Sequence, residues 1–124
     1  MLRKTKFVET PLGRVYISEK VLEHTDDNPN NEASWRRKNV KYGLLNLEKP
    51  QEIWQGYNGN YVFVNLFDTF MLDKNKQPKR VTLFVVSVTS KRGRWITFYC
   101  EKNDIAKMEK YRHGKLIYKD GNLL

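Results

Sequence analysis

The chain has 124 residues, with 23 Lys and Arg against 14 Asp and Glu, a formal net charge of +9. That length predicts a single domain over residues 1–124 with one core, and 40% hydrophobic with 30% charged residues excludes wholesale disorder. A basic excess of this size is the electrostatic footprint of a phosphate-rich partner, and RNA is the polyanion expected. Cys100 is the only cysteine, which rules out an intramolecular disulfide and a Cys-based zinc site. It lies in the apolar run 96–100 and reads as an inert buried thiol. No apolar run approaches the ~20 residues needed to span a bilayer, and the basic start leads into no signal-peptide core. No membrane association and a cytoplasmic place of action are therefore expected.

In chain order, residues 1–12 read as a basic lead-in with a short strand at 6–9. Residues 13–56 read as a helical part and 60–119 as an antiparallel meander with a short helix. Gly13 opens a strand at 14–17, and Ser18 caps a first helix that carries Val21 and Leu22 inward and reaches His24. The Asp/Asn/Pro-rich segment 25–31 is a loop. A second helix is predicted over 32–47, where Arg36, Val40, Leu44 and Leu47 share one face; Trp35, Tyr42 and Leu45 fall beside it. Arg37, Lys38 and Lys41 point elsewhere. Lys49-Pro50 ends this helix, one further turn fits 51–54, and Trp54 reads as a core anchor at the junction of helices and sheet.

The second half reads as β. Strands are predicted at 61–67, 80–89 and 94–100, with a polar turn at 73–79 and a tight basic turn at 90–93 that makes the last two a hairpin. Asn103 or Asp104 caps a short helix through Lys110, His113-Gly114 ends it, and 115–119 forms a last edge strand. The predicted fold is α+β, with N-terminal helices packed on one face of an antiparallel sheet of about four strands. The other face is left to solvent or ligand.

Alternation along 94–100 sends Ile96, Phe98 and Cys100 to the helix side and Trp95, Thr97 and Tyr99 to the open face. Rings beside Lys41, Lys91, Arg92, Arg94 and Arg36 suit single-stranded RNA, because rings stack bases and cations hold phosphates; an equal alternative is that Trp95 and Tyr99 cover a second small core. Of the two histidines, His113 suits a helix C-terminus, and His24 is the better proton-transfer group. Two histidines without a carboxylate cluster make a poor metal site, and there is no Gly-rich phosphate loop, nucleophile elbow or Walker-type lysine. No cofactor is expected. Metal-free RNA cleavage needs only proton transfer and neutralisation of a phosphorane. His24, Arg36 or Arg37, Arg94 and Thr97 could supply both.

These residues also carry a resemblance. The run Val15-Tyr16-Ile17-Ser18-Glu19-Lys20-Val21-Leu22-Glu23-His24 is followed by an Arg-bearing helix. Then come Glu48-Lys49-Pro50-Gln51-Glu52-Ile53-Trp54, a β meander and Arg94-Trp95-Ile96-Thr97-Phe98-Tyr99. The whole resembles the phage and polymorphic-toxin branch of the barnase–EndoU–colicin–RelE nuclease superfamily, over roughly residues 15–118. The resemblance implies helices on a sheet of about four strands and metal-independent cleavage of RNA such as tRNA or mRNA on the exposed face. His24, Arg37 and Thr97 match its catalytic places best. Where many such relatives carry a His, Lys or Glu on a late strand, this chain has Thr97 and Tyr99. The expected protein is a toxin or phage effector, with an acidic immunity protein or antitoxin as a partner. A non-catalytic RNA- or DNA-binding module and a basic domain that meets an acidic protein are the rival readings.

Overall fold

The computed structural model describes residues 6–17, 40–56, 58–102 and 105–124. In chain order these form β1 (Lys6–Thr10), β2 (Gly13–Ile17), α1 (Val40–Glu48), β3 (Glu52–Gln55), β4 (Tyr61–Leu72), β5 (Pro78–Thr89) and β6 (Trp95–Lys102). A 3-10 helix (Ile105–Tyr111), β7 (Lys115–Lys119) and β8 (Asn122–Leu123) complete them. β1 and β2 make a two-stranded sheet, and the other six strands make an antiparallel sheet in the order β6-β5-β4-β3-β7-β8. After β6, at one side of the sheet, the chain crosses through the 3-10 helix and pairs β7 with β3.

The expectation of helices on a four-stranded sheet is thus overturned: the described residues are mostly strand, in two antiparallel sheets, with a single α-helix. The strands expected at 6–9 and 14–17 are present as β1 and β2, paired with each other, whereas the expected helical part also contains the unexpected strand β3. Residues 51–54 were expected as a helical turn. Ile53 and Trp54 instead suit a half-buried pleat, and β3 pairs with β4 on one side and β7 on the other. The expected edge strand at 115–119 lies between β3 and the short β8. The first expected helix, and the second up to residue 39, fall outside the described residues.

α1 packs on one face of the large sheet. Leu47, Ile53, Phe63, Trp95 and Phe98 form the core there, with Val15 and Ile17 of β2 at its margin. Gly43 is buried in the helix interior because the Trp95 and Phe98 rings lie against it: a Cβ would sit 3.0 Å from Trp95 and 3.1 Å from Phe98. Asn46 donates from Nδ2 to the carbonyls of Phe63 (2.7 Å) and Val85 (3.2 Å), and Ser87 Oγ donates to Gly43 O (2.9 Å), so the helix is also tied to β4 and β5 by buried hydrogen bonds.

The opposite face is not left bare. Val62, Val64, Phe84 and Val86 form a second apolar cluster, and Trp54, Leu66, Val88 and Tyr111 pack against it. Trp54 therefore anchors this second cluster and is half-buried. Its indole N–H donates to Glu52 Oε1 at 2.9 Å. Both Glu52 carboxylate oxygens accept from one edge of the Arg112 guanidinium, Oε1 from Nε at 2.8 Å and Oε2 from Nη2 at 2.9 Å, which fastens the crossover to the sheet.

Gly114 sits where that crossover enters β7. Its φ is +87°, and a Cβ there would run into the carbonyl oxygen of Gln55. Gly114→Ala combines a left-handed backbone with a clash against β3, so it should cost about 2 kcal/mol or more. Chemical denaturation measures this; an unchanged midpoint would mean that the β3–β7 junction is looser than described.

Candidate nucleic-acid interface

One end of the large sheet gathers the chain's turns. The segment 56–60 joins β3 to β4, 90–94 joins β5 to β6, and 112–114 leads into β7, whose Lys115 pairs with Gln55. The β1–β2 turn joins them, because Thr10, Leu12 and Gly13 share a cleft of about 190 Å³ with Tyr61, Thr89, Lys91, Arg92 and Gly93. Arg14, Lys91, Arg92, Arg94 and Lys115 are all exposed at this end. Among the described residues of these turns and the adjoining strand ends, the acidic side chain is Glu9, which pairs with Arg14 at 2.7 Å.

The sequence builds the central turn tightly. Gly93 N donates to Ser90 O (3.0 Å) and Ser90 N to Arg94 O (2.8 Å), while Gly93 adopts φ +84°. This is a three-residue hairpin loop closed by a left-handed glycine. A Cβ at Gly93 would stand 3.0 Å from the Arg14 carbonyl. The absence of a side chain lets β2 approach, and Tyr16 N donates to Gly93 O at 2.6 Å while Tyr16 bridges Arg94. The two sheets thus meet at the basic turn. A second, open cleft of about 520 Å³ lies beside it, lined by Tyr16, Ser90, Arg92, Gly93 and Arg94.

The outer face of the β1–β2 hairpin extends this surface. Phe7 and Tyr16 are cross-strand partners with ring centroids 5.5 Å apart. The Arg14 guanidinium lies over Phe7 at 5.9 Å, and that of Arg94 over Tyr16 at 5.8 Å. His113 stands at the same end of the sheet, exposed, with its ring against the β3–β4 turn: a Cβ on Gly56 would meet His113 Cε1 at 3.3 Å. On the other side of that turn, a Cβ on Gly59 would meet Lys91 at 3.3 Å. The far end of the sheet is of mixed charge. Asp68 there is held below the ordinary carboxylate range by the Thr82 hydroxyl first and then by Arg80.

Of the residues predicted from sequence, Lys91, Arg92 and Arg94 do come together. Thr97 and Tyr99 share the sheet face away from α1. Thr97 pairs with Val88 and Tyr99 with Val86, and the Tyr99 ring stacks on Tyr111 at 5.6 Å. Trp95 does not join them: it is fully buried under α1, while Ile96 is 42% exposed. The cause is a β-bulge. Thr89 pairs with Trp95 and Val88 with Thr97, so Ile96 is an extra residue and simple alternation fails across it. Trp95 therefore presents no face to a base. Lys41 is exposed on α1 and lies over the Tyr42 ring at 5.2 Å, on the other layer from Thr97 and Tyr99. His24, Arg36 and Arg37 lie outside the described residues. Burial, and secondarily Glu101, push the Cys100 thiol up to about 12, so at neutral pH it remains protonated and is no nucleophile.

Sequence reasoning missed Phe7, Arg14 and Tyr16. The signal was present: strand-like runs at 6–9 and 14–17 flank Thr10-Pro11-Leu12-Gly13, which is hairpin chemistry. Among the described residues, no group of three or more His, Cys, Asp or Glu is placed to hold a metal ion, and no helix is long and apolar enough to cross a membrane. No curated protein and no solved structure matches the chain. A family model does match, over residues 2–119, nearly the whole chain including the basic turn and the hairpin beside it: it describes the phage Barnase–EndoU–ColicinE5/D–RelE-like nuclease 2 family, and to that nuclease family the chain belongs.

Proposed function

We propose that the protein is a metal-independent endoribonuclease, a toxin or phage effector that cuts tRNA or mRNA. The observation that carries this reading, within a nuclease family, is the convergence of Arg14, Lys91, Arg92 and Arg94 on the turns at one end of the sheet. Closely set cations attract a phosphodiester backbone and neutralise the charge that grows on phosphorus as it becomes five-coordinate. RNA carries its own nucleophile. The 2′-hydroxyl loses its proton to a base and bonds to the adjacent phosphorus. The bond from phosphorus to the 5′-oxygen then breaks, and that oxygen takes a proton. The products are a 2′,3′-cyclic phosphate and a 5′-hydroxyl. In this scheme His24 moves the protons, Arg37 and the turn cations stabilise the phosphorane, and the Thr97 hydroxyl donates one hydrogen bond. Tyr99 and Arg36 contribute to holding the strand. An acidic immunity protein would find the same cationic end complementary.

Incubation with total RNA in EDTA tests the reading. Discrete fragments ending in cyclic phosphate are expected. RNA that stays whole in EDTA, or is cut only when magnesium is supplied, would overturn it. RNA that is bound in a salt-dependent way yet never cut would leave a binding module.

A further inference from the structure

We propose that the outer face of the β1–β2 hairpin is a stacking platform for single-stranded RNA. One base sits against Phe7 and Tyr16, and flanking phosphates lie at Arg92 and Arg94. This deepens the proposed ribonuclease reading and rests on it for the nature of the ligand.

The hairpin has two unlike faces. Val15 and Ile17 point into the core, and Val8 packs against the same cluster. The other face carries Phe7, 57% exposed, directly across from Tyr16. The core holds the hairpin from behind, and the Tyr16–Gly93 hydrogen bond holds it from the side. The rings meet at 67°, edge to face, so they form an angled seat rather than a closed stack. A base entering that seat finds ring faces on which any base can stack. Arg94 lies over the Tyr16 ring and Arg14 over the Phe7 ring, so each ring carries a cation on one side, within reach of the phosphates that flank a base stacked on the other. Arg14 is shared with Glu9, but that pair is exposed at both ends and therefore weak in water. The open cleft beside Tyr16, about 520 Å³ and lined by Arg92 and Arg94, runs from that ring along the basic turn.

These features choose between forms of RNA. In a duplex the base faces are stacked inside the helix and cannot reach a ring, so a duplex meets only the cations. A single strand can use both.

The test uses 2′-O-methyl oligoribonucleotides, which lack the attacking hydroxyl and so report binding without cleavage, read by fluorescence anisotropy. Phe7→Ala should weaken single-strand binding about tenfold, the scale of one stacked base. It should leave duplex binding near that of the parent, and Phe7→Trp should retain single-strand affinity. Moving one abasic site along the strand should likewise weaken the parent about tenfold at one position, and should do nothing further to Phe7→Ala. The abasic scan needs no variant to fold. Equal affinity of Phe7→Ala and parent for the single strand, a parallel loss on single strand and duplex, or a flat abasic scan would each overturn the platform. Failure of the EDTA cleavage assay would leave this contrast intact, and failure of the contrast would leave cleavage intact.

Discussion

Trp95→Ala is expected to destabilise the protein by about 3–5 kcal/mol, the range for deleting a large aromatic from a packed core. The side chain is 0% exposed, lies 5.5 Å from the Phe98 ring between centroids, and rests on the Gly43 surface of α1. Because the Phe98 and Gly43 contacts are made by ring atoms, neither the helix nor β6 can close the gap without moving the other. Trp95→Phe should cost much less. It leaves a smaller void and also removes a buried indole N–H that has no hydrogen-bond partner. Urea denaturation at constant m-value measures both. A Trp95→Ala protein that keeps its midpoint but loses RNA affinity would return Trp95 to the interface.

His24→Ala should lower single-turnover RNA cleavage by about 10²–10⁴-fold, the usual contribution of a general acid or base. The chemistry demands a group that both accepts and gives a proton near neutral pH, and histidine does so without a large shift. Thr97→Val should lose less, because it removes one donor to the developing charge and keeps the shape of the side chain. The parent's pH–rate profile should contain a limb near the histidine range that His24→Ala abolishes. His113 is the discriminating control. If His113→Ala is the inactive variant and His24→Ala is not, the proton-transfer role belongs to the end of the sheet where Lys91 and His113 flank one turn.

How far the sequence could be read depended on what each element needs. Long strands with β-branched runs were legible, and β5 differs from its expected limits by two residues at its start. The basic turn was legible because Ser90-Lys91-Arg92-Gly93 has the glycine where a left-handed residue is required. The bulge at Ile96 was not, since an inserted residue leaves no mark on composition and reverses the alternation before it. That one residue moved Trp95 from the expected ligand face into the core. The four-residue β3 was also hidden: a run that short fits one turn of helix as well as a strand, and only its two partners decide. The cationic site was half legible. Lys91, Arg92 and Arg94 are neighbours in sequence, whereas Arg14 and Tyr16 reach them only through the close approach of two backbones at Gly93.

The position of β7 has a consequence for how the molecule assembles. The meander from β4 to β6 closes through short turns and can form as it leaves the ribosome, because its contacts are local. β3 then has one neighbour only. Its second neighbour arrives with residues 115–119, and the Glu52–Arg112 pair that fastens the crossover joins groups 60 residues apart. Until that long loop closes, β3 presents an open hydrogen-bonding edge, with Trp54 and Val62 beside it uncovered and Glu52 without its guanidinium. Docking of the crossover and β7 is therefore the late, entropically costly step of folding. The interval before it is when a newly made chain is most exposed to edge-to-edge pairing with another.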